Sequence, residues 1–148
     1  MGLRDWIRRL FGRTERVTFD VDPETFVFLV IRDAKGPMER GADYEDPLEQ
    51  HLQRNGFGEI SGGGSQLGDL REDGTRGIEW CGVDVDLVST DVRVAALEML
   101  RAQLVELGAP VGTEVHYTED SVMLRDHLAD GGWQLRLPRE ARHPAFGC

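Results

Sequence analysis

The residues whose types and spacing suggest chemistry lie in the segment IEWCGVDVDLV, residues 78–88. Side chains alternate between the two faces of a β-strand, so Trp80, Asp84 and Asp86 share one face. The residues between them are apolar and suit a core. An aromatic ring beside two carboxylates can bind a cation, hold a metal or transfer a proton. This face is therefore the first candidate for a functional surface.

Two other predicted strands add polar groups to the same side of the sheet. The strand at 57–61 directs Glu59 away from the core, and the strand at 112–119 does the same for Glu114 and His116. In a sheet with the 78–88 strand near its centre, these side chains share one surface. The candidate partner-binding residues are Glu59, Trp80, Asp84, Asp86, Glu114 and His116.

Three interpretations of this face remain open. Its carboxylates either keep a solvated sheet soluble, dock a basic partner or a second copy of the chain, or form a metal or acid/base site. The last requires the carboxylates and the histidine to converge. The strand at 26–31 is apolar on both faces, so its outward side needs a cover. We expect the N-terminal helix, the GGWQLRL tail or a second subunit to lie across it.

The segment GFGEISGGGSQLGDL, residues 56–70, contains three consecutive glycines at 62–64. Loops that bind phosphate place backbone N–H groups at the start of a helix, and Walker-type loops add a lysine. This segment has no lysine, follows a strand and leads into an acidic stretch. We therefore predict a bulge or mobile turn that joins two strands, and no anion site.

Motifs for catalysis or metal binding are not found in the sequence. No serine lies in a GxSxG motif, and Cys81 falls in a predicted buried strand. The two cysteines, Cys81 and Cys148, do not suggest a disulfide framework in a cytosolic chain. The histidines lack the spacing of metal ligands; they are His51, His116, His127 and His143. We expect no catalytic residue, no cofactor and no metal.

The hydrophobic pattern predicts the elements that position these residues. The helix near 46–55 has Asp46 as its cap, Pro47 in its first turn and Glu49 in a capping box. The remaining predictions are an amphipathic helix at 3–11, possible strands at 16–21 and 133–137, strands at 26–31, 57–61, 78–88 and 112–119, a loop at 36–45, a helix at 91–107 and a possible helix at 122–128.

The order strand, helix, strand, strand, helix, strand predicts an α+β protein with a ferredoxin-like βαββαβ sandwich. The first and third strands are then central, and both helices cover one face. We predict a single domain over 1–148, with a terminal helix at 3–11, a ferredoxin-like core at 24–119 and a C-terminal extension at 120–148.

The formal net charge of −10 limits the classes of partner. A protein this acidic repels a phosphate backbone, so nucleic acid is disfavoured and a basic protein is favoured. No apolar run is long enough to cross a bilayer. Arginines interrupt the start, MGLRDWIRRLFGR, which therefore does not resemble a signal peptide. We expect a cytoplasmic protein.

The motifs FGEISGGGSQL, IEWCGVDVDLV and LVELGAPVGTEVHY resemble those of small bacterial ferredoxin-like proteins, some of which are similar to toxin-immunity proteins. The resemblance covers residues 24–119. It implies protein binding through an acidic surface and no active site, and it transfers no catalytic residue.

The sequence therefore predicts a non-enzymatic, acidic protein-binding module, an immunity or inhibitor protein for a basic partner. Self-association as a homodimer is a further expectation. Two alternatives stay open: a small-molecule or metal-binding regulatory domain, and a small ferredoxin-like enzyme that uses the open sheet face.

Overall fold

Strands and helices are described for residues 21–148 in a computed structural model. The helix predicted at 3–11 and residues 16–20 of the possible first strand lie outside the described residues. The strands are β1 (Phe26–Ile31), β2 (Gly58–Leu70), β3 (Arg76–Leu87), β4 (Glu114–Glu119), β5 (Val122–Ala129) and β6 (Gly132–Pro138). The helical segments are α1 (Pro37–Arg40), a π-helical segment (Gly41–Glu45), α2 (Asp46–Arg54), a 3-10 turn (Thr90–Val92) and α3 (Arg93–Glu106). The chain is α+β, as predicted.

The strands form one antiparallel sheet in the order β2-β3-β1-β4-β5-β6. Strand β1 lies between β3 and β4, and Leu29 is in register with Val83 on one side and Val115 on the other. The two helices α2 and α3 pack on the face that carries these three residues. The opposite face of the sheet is called the outer face below.

The core lies between the sheet and the two longer helices. All six residues of β1 are buried, which explains why this strand is apolar on both faces. On β3 the residues at odd positions enter the core, as the alternation predicts; they are Cys81, Val83, Val85 and Leu87. The helices contribute Leu48, Leu52, Leu97, Leu100 and Leu104. Each fully buried leucine stabilises the fold by roughly 1.5–3 kcal/mol.

The first helical region begins at Pro37, so the loop predicted at 36–45 is wrong. Pro47 has no backbone N–H and cannot donate a hydrogen bond to the preceding turn. The wider π-helical turn joins α1 to α2, and in it the N–H of Asp46 donates to the carbonyl oxygen of Gly41. The predicted cap and capping box are also wrong, because Asp46 is already helical and no side chain caps the start of α2. Glu49 accepts a hydrogen bond from the backbone N–H of Ile60 at 2.5 Å and so ties α2 to β2.

The glycine cluster lies inside β2, so the loop predicted there is wrong. Gly62, Gly63 and Gly64 pair with Asp84, Val83 and Gly82 of β3, and the strand continues to Leu70. The register shifts between Ile60 and Gly62, which agrees with the expected bulge. The segment is thus a paired edge strand.

The segment predicted as a helix at 122–128 is strand β5. Its inward residues are Leu124, Asp126 and Leu128, and the acidic residue in the middle hides the strand alternation. Asp126 is fully buried and accepts hydrogen bonds from Arg101 of α3 at 2.7 Å and from the Tyr117 hydroxyl at 2.8 Å. These partners satisfy a carboxylate that the sequence pattern assigns to solvent.

The predicted edge strand at 133–137 is confirmed as β6, which among the described strands pairs with β5 alone. Between residues 21 and 148, the helices are all too short or too polar to span a bilayer.

Candidate functional site

The C-terminal segment, residues 139–148, crosses the outer face of β1 and is called the tail. The rings of Phe26 and Phe28 meet the ring of His143 edge-on, with centroids 5.4 and 4.4 Å apart. Phe146 stacks on His143 at 4.6 Å and meets Phe26 at 5.6 Å. The outward side of β1 is thus covered, as expected, but the GGWQLRL segment named for this role is wrong: it forms β6, and the cover is the tail that follows it.

Three hydrogen bonds hold the His143 ring in place. Its Nδ1 accepts the backbone N–H groups of Ala145 and Phe146, at 3.0 and 3.1 Å. An acceptor at Nδ1 places the ring proton on Nε2, which donates to Oδ1 of Asp84 at 2.8 Å. Both nitrogens are therefore engaged, and no ring nitrogen is left for proton transfer. The Asp84–His143 pair fastens the tail to β3.

A cleft of about 260 Å³ opens on the outer face beside the tail and is called the outer cleft. Pockets for drug-sized ligands typically hold about 300–1,000 Å³, so this cleft suits one side chain better than a nucleotide cofactor. Phe28 and Trp80 meet edge-on inside it, with centroids 5.9 Å apart. Its lining includes Phe28, Gly64, Trp80, Gly82, Asp84 and Phe146.

Two glycines shape the outer cleft by their lack of side chains. A methyl group at Gly82 would come within 2.5 Å of the Phe28 ring and 3.3 Å of Trp80. The two rings therefore need a glycine beneath them. A methyl group at Gly64, which pairs with Gly82, would meet nothing within 4 Å, so this position opens onto the cleft.

On the opposite side of β2, a buried polar contact supports the glycine strand. Arg40 donates to Oε1 of Glu45 at 2.9 Å and to the Ser65 hydroxyl at 2.8 Å. A methyl group at Gly63 would clash with Glu45, so this glycine allows the helix to approach the strand. The helix side of β2 is thus occupied by the Arg40–Glu45 pair.

The predicted residues Glu114 and His116 belong to a separate polar cluster on β4 and β5. Burial raises the pKa of Glu114, but hydrogen bonds from His116 at 3.0 Å, from His127 at 2.8 Å and from Arg125 outweigh this and lower it to about 2. Burial holds the pKa of His116 below its ordinary value, against the hydrogen bond with Glu114. Both Glu114 oxygens are occupied, so this carboxylate is charged and has partners within the fold.

Glu59 and Asp86 face each other across β2 and β3. Like charges in directly opposed positions destabilise a strand pair. Within residues 21–148, neither carboxylate forms an ion pair with an arginine, lysine or histidine. This pair, the acidic pair below, is two residues along β3 from Asp84 and the outer cleft.

The structure therefore divides the six predicted site residues. Trp80 and Asp84 line the outer cleft, and the acidic pair lies next to them on the same strands. His116 touches the opposite side of the Phe28 ring, at 6.1 Å between centroids, while Glu114 is turned toward β5. Their placement together on one functional surface stays a prediction.

The described residues offer no group of three or more histidine, cysteine or carboxylate side chains arranged to hold a metal ion. Burial raises the pKa of the Cys81 thiol to about 11, which keeps it protonated at neutral pH. Within the described residues, the outer face carries aromatic rings, the Asp84 carboxylate bonded to the tail, and the acidic pair.

Sequence reasoning missed the contributions of His143, Phe146 and Gly64. No element is predicted for the tail, although its histidine and phenylalanine follow the last strand closely. The signal was the apolar outward side of Phe26–Ile31, which requires aromatic or aliphatic cover from some other part of the chain.

Comparisons with family models, with curated proteins and with solved structures find no match to this chain. The resemblance to small bacterial proteins of the immunity type stays a prediction that rests on the three motifs.

Proposed function

We propose that this chain is a non-enzymatic binding protein whose outer face docks a basic partner protein, in the manner of an immunity or inhibitor protein. The observation that carries the proposal is the acidic pair, Glu59 and Asp86, held opposite each other without a cation from the described chain. A lysine or arginine of a partner placed between them relieves their repulsion. The net charge of −10 steers such a partner toward the protein.

The engaged state of His143 also supports binding over catalysis. The one histidine in contact with an outer-face aspartate uses Nε2 for Asp84 and Nδ1 for two backbone N–H groups. An acid/base role requires a nitrogen that can reach substrate. A surface of fixed carboxylates and rings is instead suited to recognition.

The test compares matched charge variants against basic proteins encoded by genes adjacent to that of this chain. Isothermal titration is performed with wild type, with Glu59→Gln/Asp86→Asn, and with Asp69→Asn/Asp130→Asn, which removes the same charge from exposed positions elsewhere. We expect one basic protein to bind wild type and the control, and the acidic-pair variant to bind at least about tenfold more weakly. Failure of every such protein to bind, or equal binding by all three forms, contradicts the proposal.

We also propose that the core has ferredoxin-like topology. The support is the strand order β2-β3-β1-β4, with α2 and α3 packed on one face, to which β5 and β6 add at the β4 edge. Backbone NOE contacts between neighbouring strands test this order. Contacts that place β2 beside β1 contradict it.

A further inference from the structure

The outer cleft contains a carboxylate whose charge no cation of the described chain neutralises. Asp84 has a side chain only 14 % exposed, and among residues 21–148 its one ionisable partner is His143. That ring accepts two N–H groups at Nδ1 and donates from Nε2, which is the bonding pattern of a neutral imidazole. The second carboxylate oxygen, Oδ2, points toward Gly62, where an added methyl group would approach it to 3.0 Å. One oxygen is thus free of the tail.

The walls of the outer cleft suit an organic cation. Phe28, Trp80 and Phe146 contribute aromatic surface beside the carboxylate. Trp80 already accepts a guanidinium from its own chain, because Arg32 Cζ lies 6.0 Å from its ring centroid. Arg32 is not among the residues that line the cleft, so this contact leaves the cleft itself open.

The size of the outer cleft limits what enters it. Its volume of about 260 Å³ lies below the usual range for drug-sized ligands. Gly64 lines the cleft without a side chain, which leaves space above its backbone. A flat group at the end of a flexible chain fits these limits. Guanidinium is planar, stacks on aromatic rings and loses its hydration more readily than ammonium.

We propose that the outer cleft binds the guanidinium group of an arginine presented by the basic partner. The inference rests on the proposed function and names the anchor that the outer face recognises. The guanidinium pairs with Asp84 and lies against Trp80, while the acidic pair contacts neighbouring basic residues of the same partner.

The probe is N-acetylarginine amide, titrated into the ¹⁵N-labelled full chain and followed by two-dimensional NMR. Two comparison probes are used, each acetylated at the α-nitrogen. The citrulline amide has nearly the same shape as the arginine probe without the charge, and the lysine amide keeps a charged side-chain ammonium. We expect saturable shifts of the Gly64 and Gly82 amides and the Trp80 indole with the arginine probe. The citrulline probe is expected to bind at least about tenfold more weakly.

Three variants locate the binding. Asp84→Asn removes the charge but keeps an oxygen to accept from His143, and it is expected to weaken arginine binding at least about fivefold. Gly64→Leu fills the cleft from a position with open space and is expected to abolish binding. Asp69→Asn removes a charge on the same hairpin and is expected to bind as wild type. A thermal melt of each variant confirms that it is folded.

Equal shifts from arginine and citrulline probes, or full binding by Asp84→Asn or Gly64→Leu, overturn the inference. So does a stronger response to lysine than to arginine. These results leave the proposed function intact if a basic protein still depends on Glu59 and Asp86. A basic partner that ignores the acidic pair contradicts the proposed function instead, whatever the arginine probe does.

Discussion

Replacing Glu114 by glutamine tests how strongly the polar cluster on β4 and β5 stabilises the fold. The pKa of Glu114 is about 2 in the folded chain and 4.5 for an ordinary glutamate. Because its folded pKa is lowered, its contribution is complete above pH 4.5 and is lost as the pH falls toward 2. The gap between these values corresponds to about 3 kcal/mol, at about 1.4 kcal/mol per pKa unit.

The structure accounts for this magnitude. One Glu114 oxygen meets His116, and the other meets His127 and Arg125. Hydrogen bonds to a charged group typically contribute about 1.5–3 kcal/mol each, and burial of the carboxylate opposes them. Glutamine keeps the shape and one acceptor oxygen but removes the charge, so it resembles the protonated glutamate.

The assay is urea unfolding of wild type and Glu114→Gln at a series of pH values between neutral and about pH 3. We expect the variant to be less stable at neutral pH by up to about 3 kcal/mol and the difference to shrink as the pH falls below 4.5. Glu98→Gln, at an exposed position on α3, is the control and is expected to show no such convergence. A difference between wild type and Glu114→Gln that is absent at neutral pH, or constant throughout, refutes the reasoning.

Four further substitutions test the packing of the sheet and the tail. Gly63→Ala places a methyl group against Glu45 and is expected to lower the melting temperature by several degrees. Gly64→Ala places the methyl group in open space and is expected to leave the melting temperature nearly unchanged. Equal effects of the two substitutions would contradict the packing described for β2. Asp126→Asn leaves Arg101 without its buried carboxylate and is expected to lower the free energy of unfolding in urea by roughly 3 kcal/mol. A change near zero would contradict a stabilising role for this pair. Phe146→Ala removes the ring stacked on His143 and is expected to lower the free energy of unfolding by about 2 kcal/mol. The tail is then expected to become sensitive to proteolysis while the far-UV circular dichroism stays unchanged. A tail that stays protected would show that other contacts hold it.

The sequence by itself determined the elements whose burial pattern is local. Alternation along 78–88 predicted which residues of β3 enter the core, because a strand turns every second side chain to the same face. The continuous apolar run at 26–31 predicted a strand covered on both sides, and the structure buries it between the helices and the tail. The α+β class followed from the order of these elements.

Local sequence patterns gave the wrong secondary structure where contacts with residues distant in the chain decide whether a side chain is buried. Asp126 made β5 resemble a helix surface, since hydrogen bonds from Arg101, Tyr117 and the backbone of Arg136 are what make an inward carboxylate tolerable. The glycines of β2 looked like a turn because the residues that pack against them, among them Glu45 and Arg40, come from a helix elsewhere in the chain.

The outer cleft was decided by tertiary structure alone. Asp84 and His143 are 59 residues apart, and neither residue type nor spacing reveals that they meet. Their contact holds the tail so that the ring of Phe146 lines the same cleft as Gly64. The sequence determined the negative charge and the outward direction of Asp84, because both are properties of a single strand. A cavity needs walls from several elements at once, and only the folded chain brings them together.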